Sequence, residues 1–295
     1  MDFGIMTLQL NSLLPTASSP TEILGSLAGF DHAQLVKSLF EQRFNPIELS
    51  GDLNLFLPQA YSPEAIERLA ALKEQGLRYS VHIPLWSLEL STPLAPVREG
   101  SAQAVIDCIR ATWPLEPEAY VLHATGPLAA EFYNMKLPEM VHGYLLRQFQ
   151  TAAKTSITEI LKETGIPGRK IAIETIEFPL DLTLEMAEEL DLSICLDVGH
   201  VLAGFCGWYD FWEVFDRILP RLAEVHLHDC KQMPEGIRGY GEDHHALGTG
   251  DLDVVQLLDR LEKVDFQGPI IFELTVPEAL ASIERIKEIA PQYLT

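Results

Sequence analysis

Short apolar runs alternate along the chain with longer stretches in which apolar residues recur every three or four positions. The runs fall at residues 2–7 (DFGIMT), 46–50 (PIELS), 79–85 (YSVHIPL), 120–125 (YVLHAT), 170–175 (KIAIET), 192–197 (LSICLD), 224–229 (EVHLHD) and 269–274 (PIIFEL). Near-continuous apolar runs bounded by Gly, Pro or charge suit strands of a parallel sheet covered on both faces. Between them, helical spacing covers residues 31–43, 62–76, 96–112, 140–164, 182–190, 211–222, 254–264 and 277–290. The second of these opens on Ser62, Pro63 and Glu64 and closes at Gly76, a cap, a first-turn proline, a favourable charge and a stop. Eight strand and helix alternations with right-handed crossovers predict a (β/α)8 TIM barrel, a single domain over residues 1–295. An open doubly wound sheet is the runner-up, but the one Gly-rich stretch (GEDHHALGTG) comes late and is no dinucleotide fingerprint. The Ser/Pro-rich residues 11–29 are long for a barrel loop and are expected to form a lid or excursion near the site.

Each predicted strand from the third to the eighth ends in a side chain able to hold a metal ion. These are His82, His123, Glu174, Asp197 with His200, His226, and Glu273, while the late loop adds Glu242, Asp243, His244 and His245. An Asp at a strand end such as Asp197 is by itself an ordinary turn or helix cap. Gly199 is expected to make a sharp turn that swings His200 back toward the same mouth. Of nine histidines in the chain, seven lie in these segments, leaving only His32 and His142 on predicted helices. In a parallel barrel the carboxyl ends of the strands form the active face, so these groups are expected to converge. They are too many for one ion, which takes about four protein ligands or three and a water. Two or three divalent ions are expected, bridged by Glu174.

Charge narrows the substrate. There are 21 Lys plus Arg against 43 Asp plus Glu, a formal charge of −22, which disfavours a phosphate-gripping nucleic-acid face. Four cysteines (Cys108, Cys195, Cys206, Cys230) lack CxxC spacing and read as reduced thiols. No apolar run reaches the roughly 18 residues of a membrane span, and MDFGIMTLQL has no signal-peptide pattern, so a cytoplasmic protein without a membrane partner is expected.

The segments VHIP, VLHATG, AIET, CLDVGH, VHLHD, DHHALGTG and IIFE, in that order over about two thirds of the chain, resemble the xylose isomerase-like barrel superfamily, and within it the endonuclease IV type of apurinic endonuclease. That resemblance implies three zinc ions, with manganese or iron as alternatives. His82, His123 and Glu174 would hold one; Glu174 would be shared with a second held by Asp197, His226 and Glu273; His200 and the late loop would hold the third. In the late loop the family places an acid two residues before the ligand histidine, which leaves Glu242 with His244 and Asp243 with His245 both open. His228, where the family tends to carry an amide, departs from the pattern and is expected to contact substrate. Sugar isomerases and epimerases of the superfamily keep the counterparts of Glu174, Asp197, His226 and Glu273 but generally lack the paired histidines of strands three and four. Phosphodiester hydrolysis in a small or medium-sized substrate is therefore the expected activity, through water activated at Glu174, with Glu174, Glu273 and His228 as catalytic candidates. The run HIPLWSLEL, with YVLHATG, CLDVGH and HLHD, is also similar to cobamide-remodelling phosphodiesterases, which cleave the nucleotide loop of corrinoids. Sugar isomerisation around one ion, with Glu174 and Glu273 as an acid/base pair, is the alternative; an apurinic endonuclease or an inert metal-binding barrel ranks below both. Arg238 and Lys231 are candidate phosphate clamps, and Trp86, Trp208, Tyr209 and Phe178 candidate aromatic walls. Oligomeric state is open.

Overall fold

A computed structural model describes residues 1–8, 29–233 and 239–294. Eight parallel strands close on themselves in the order β1 (Gly4–Met6), β2 (Ile47–Ser50), β3 (Tyr79–His82), β4 (Tyr120–Leu122), β5 (Ile171–Glu174), β6 (Ser193–Asp197), β7 (Leu222–His226) and a last strand, Ile270–Phe272, which pairs with both β7 and β1. This is the predicted TIM barrel, with helices between the strands. The sequence-predicted excursion at 11–29 lies outside the described residues except for Gly29.

Alternation along each strand decides what faces the site. On β3, Tyr79 and Val81 turn outward into the helical layer, where the Tyr79 hydroxyl donates to the Leu69 carbonyl at 2.8 Å. Ser80 and His82 then face the barrel interior, as the period of two requires. Low in the interior, Ala119, Val121, Ala172 and Cys195 form their own small cluster. One pleat higher on the same inner faces stand His123, Glu174 and Asp197.

The helices start where their caps dictate. Ser62 accepts from the Ala65 amide at 3.3 Å to open Pro63–Lys73, and Thr275 with Glu278 forms a capping box on Val276–Ile289. Two short helices, Leu53–Phe56 and Pro127–Asn134, and a two-stranded antiparallel ribbon were not anticipated from the sequence. The ribbon pairs β8 (Asp229–Lys231) with β9 (Glu242–His245), so the predicted seventh strand ends at His226 and its remainder turns out over the barrel mouth. Among the described residues no helix is long and apolar enough to cross a membrane.

Candidate metal centre

At the carboxyl ends of the strands the side chains of His82, His123, Glu174, Asp197, His200, His226, His228, Asp243, His244 and Glu273 share one basin. Glu174 lies at its middle. Its Oε2 is 3.1 Å from Nε2 of His82 and 2.9 Å from Nε2 of His123, while Oε1 is 3.3 Å from Nδ1 of His200 and 3.7 Å from Nδ1 of His226. His226 Nδ1 also lies 3.4 Å from Glu273 Oε1 and 3.9 Å from Asp197 Oδ2. His200 Nε2 faces Asp243 Oδ2 at 3.5 Å, and His244 Nε2 faces Glu273 Oε2 at 3.6 Å.

Two features show that this set fits cations. Nδ1 of His200 and Nδ1 of His226 are buried with no hydrogen-bond partner, though both are aimed at carboxylate oxygens. Buried polar atoms are ordinarily satisfied, so such a pair marks missing partners. Second, three acids, Glu174, Asp197 and Glu273, crowd one space and are almost wholly buried. Burial opposes charge on Glu174, yet the positive rings of His123 and His226, the hydrogen bond from His123 and the nearby His200 ring outweigh it and hold the carboxyl well below its usual range. Glu273 is likewise held low against burial, by His226 and His244. Conversely, burial works to discharge His82 and His200, but the surrounding carboxylates push both up to about 9. Protons on these rings thus supply the positive charge that ions would otherwise bring.

Asp197 has two tasks. Its Oδ1 accepts the His200 amide at 2.6 Å, capping the helix Val198–Ala203, and its Oδ2 faces the basin. Both the cap and the site-facing readings of this residue therefore hold geometrically. Gly199 does not make the expected sharp turn. It sits inside that helix, and a Cβ on it would lie 2.1 Å from Cε1 and 2.2 Å from Nδ1 of His228, so glycine is required by the ring packed over it.

His228 is pinned from both sides. The His244 amide donates to its Nδ1 at 2.9 Å, and its Nε2 lies 3.0 Å from Asp197 Oδ2. A ring nitrogen that accepts an N–H leaves the proton on the other nitrogen, so His228 donates to Asp197 and offers no lone pair there.

In the late loop the structure pairs Asp243 with His244, matching neither of the two registers open from the sequence. Strand alternation would put 242 and 244 on one face and 243 and 245 on the other. His244 has φ 56°, a left-handed conformation that turns two consecutive side chains to the same side. Asp243 Oδ2 and His244 Nδ1 are 3.2 Å apart, whereas Glu242, largely exposed, pairs with His245 at 3.7 Å away from the basin. Asp229 holds the base of this loop: its carboxylate accepts from the amides of Cys230, Gly248, Gly250 and Leu252 at 2.8–3.0 Å.

Other sequence candidates lie elsewhere. Phe178 is fully buried among Ala129, Leu146, Phe149 and Leu182 and is core, not a wall. Trp86 tilts against Phe56 on the surface, Trp208 covers Gly204, and Tyr209 lies beneath Arg217. None of these four lines the basin cavity. Lys231 is exposed on the ribbon opposite Glu242, and Arg238 lies outside the described residues. The aromatic groups at the basin are instead Phe205, stacked on His200 at 4.8 Å, and Tyr240, edge-on to Phe205 at 4.7 Å. His32 and His142, on helices as expected, donate to backbone carbonyls.

The basin opens into a cavity of about 500 Å³ lined by Met6, Leu8, Leu274, Thr275 and Glu278. A second, of about 260 Å³, lies on the other side among Leu88, Thr125, Pro127, Ile176, Glu177 and Phe205. Leu85, His123 and His200 belong to both, so the cluster of histidines and acids lies at their junction. A larger cavity of about 710 Å³ along the helix Ala95–Thr112 includes no basin residue.

Residues 36–290 match the family described as the xylose isomerase-like TIM barrel. The chain belongs to that family. An uncharacterised protein of Methanocaldococcus jannaschii is 27% identical to this xylose isomerase-like barrel over 244 residues, covering 77% of this chain and 75% of the relative. A D-tagatose 3-epimerase-like protein superposes with TM-score 0.69 at 20% identity, covering 99% of this chain and 98% of that one. Endonuclease IV from Thermus thermophilus superposes with TM-score 0.63 at 17% identity, covering 88% of this chain and 94% of that one. At these identities the superpositions establish the barrel alone, and its use in this member of the family rests on its own basin.

Proposed function

We propose that this barrel is a metal-dependent phosphodiesterase acting on a small or medium-sized substrate. The observation that carries the proposal is the division of Glu174, whose two oxygens face separate histidine pairs, His82 with His123 and His200 with His226. A carboxylate placed so would suit a bridge between two cations, were each pair to hold one. Around it stand the groups His82–His123–Glu174 and Glu174–Asp197–His226–Glu273, with His200, Asp243 and His244 beside them. Divalent ions held there, zinc by the character of the nitrogen and oxygen donors, would acidify a water and neutralise charge on both oxygens of an in-line displacement. The residues do the rest. His228 fixes Asp197 by donating to it, Asp229 holds the Asp243–His244 turn, and Phe205 excludes water from one face of His200. The two cavities meeting at the cluster support a diester in particular, because a phosphorus at the junction has room for a substituent on each side. The charge of −22 favours small substrates over nucleic acid; the corrinoid nucleotide loop is one diester of suitable size.

One observation favours a second reading, sugar epimerisation. Glu174 and Glu273 flank Nδ1 of His226 at 3.7 and 3.4 Å, an arrangement in which two acids around a single ion exchange a proton with a sugar carbon. Elemental analysis of the purified chain, followed by assay against bis(p-nitrophenyl) phosphate, a corrinoid and a ketohexose panel, separates them. Two or three ions per chain with diester cleavage is the expected result. One ion per chain with sugar turnover and no diester cleavage would overturn the proposal in favour of the epimerase.

A further inference from the structure

Directly beneath the basin the barrel interior carries a polar layer where packing side chains are usual. Glu48 on β2, Ser80 on β3 and Glu224 on β7 are fully buried there. Ser80 Oγ donates to Glu224 Oε1 at 2.7 Å, and Glu48 Oε2 lies 3.4 Å from that hydroxyl. The same Glu48 oxygen is 3.4 Å from Nε2 of His226, which is itself without exposed surface. His226 therefore spans two layers. Its Nε2 points down to a carboxylate and its Nδ1 points up, unpartnered, at Glu273, Glu174 and Asp197. Cys195, whose buried thiol also touches the ring, is a much weaker acceptor than a carboxylate.

We infer that Glu48 is a positioning residue for the metal centre. By accepting the Nε2 proton of His226 it fixes the tautomer and the plane of that ring, so that the Nδ1 lone pair faces the group formed with Glu174, Asp197 and Glu273. Neutral imidazole carries one N–H, and a carboxylate beneath one nitrogen decides which. A carboxylate buried away from solvent is unfavourable for folding unless it is well paired, and taking away one partner of a buried charged pair is itself destabilising. Glu48 makes its contact with a ligand ring, and an effect on ion affinity is the signature by which this role is told from a purely structural one. The inference rests on the metal-centre reading of the basin, and is independent of which reaction that centre performs.

The test is calorimetric titration of the metal-free full-length chain with Zn²⁺ and Mn²⁺, alongside the metal-free melting temperature, for wild type, Glu48→Met and Glu48→Gln. Met fills similar volume without an acceptor, and Gln retains a carbonyl that can accept from Nε2. Removing an outer partner of a ligating histidine weakens ion binding roughly 10- to 100-fold. The expected pattern is that loss at one site in Glu48→Met, with a metal-free melting temperature below wild type because a buried ring loses a partner, and recovery of most of the affinity in Glu48→Gln. Ion affinity within twofold of wild type in Glu48→Met overturns the inference, as does a Gln variant no better than Met. Should the Met variant not fold, the ¹⁵N imidazole shifts of His226 in the zinc-loaded wild type and Glu48→Gln decide: a proton on Nε2 with Nδ1 coordinated is expected in both, and an Nε2 without its proton in wild type overturns the role. If wild type itself takes up no divalent ion, the basin reading fails before this one.

Discussion

Gly199→Ala gives the most direct physical test of the basin. In a helix interior Ala is normally favoured over Gly by about 0.5–1 kcal/mol. Here the added Cβ would lie 2.1–2.2 Å from the His228 ring, inside any allowed contact, and the ring has no exposed surface into which to retreat. To make room His228 must give up its bond to Asp197 at 3.0 Å and the one it accepts from the His244 amide at 2.9 Å. The first involves a charged partner and is worth roughly 1.5–3 kcal/mol, the second roughly 0.5–1.5. Overpacking adds roughly 1–3 kcal/mol. The helical gain offsets at most about 1 of these, leaving a net destabilisation of roughly 2–6.5 kcal/mol, or a fall in melting temperature on the order of 3–10 °C for a chain of this length. The control is Gly143→Ala in the helix Glu139–Thr164, where a Cβ meets nothing within 4 Å and stabilisation of about 0.5–1 kcal/mol is expected. Thermal and urea denaturation of both metal-free variants measure the difference. If Gly199→Ala melts as high as Gly143→Ala, His228 is not held as the geometry states, and the tautomer assigned to it falls with that.

Further outcomes follow from the same geometry. His82 and His200 are pushed up to about 9 from an ordinary value near 6.5, so their stabilising charge is fully present below about pH 6.5 and is lost as pH rises through 9. The metal-free chain should therefore lose melting temperature between pH 7 and 10 while the zinc-loaded chain does not, and parallel curves in a thermal-shift series would contradict this. Glu174→Ala removes the oxygens facing four histidines, and elemental analysis should then show at least one ion fewer per chain than wild type; equal content would deny it a bridging place. Asp229→Ala orphans the amides of Cys230, Gly248, Gly250 and Leu252, with an expected loss of roughly 3 kcal/mol or more in urea denaturation, where Asp229→Asn should lose less. A destabilisation under about 1 kcal/mol for the alanine would show that water replaces the carboxylate.

The barrel and most of its rim are legible in the one-dimensional pattern because both depend on short-range periodicities. A parallel strand buried on both faces is a near-continuous apolar run, and the pleat sends every second side chain inward, so polar groups at the ends of such runs, His82, His123, Glu174, Asp197, His226 and Glu273, share one mouth whatever the loops do. What depends on closure could not be read there. Glu48 lies in a five-residue run, PIELS, that looks like strand alone, and its meaning comes from Ser80, Glu224 and His226, which reach it only when β2, β3 and β7 face one interior. A charged residue in the middle of a buried strand was the available signal. The pairing of Asp243 with His244 turns on one positive φ in a ribbon whose other strand was expected to finish β7. Gly199 shows the division most clearly: its presence at a strand end is visible in the sequence, but the reason for it is a histidine ring 29 positions away, brought against its Cα by the fold. Local periodicity determined which elements form and which faces they bury, whereas the placement of protons, lone pairs and single side chains within the basin was decided by contacts between strands that only the closed barrel creates.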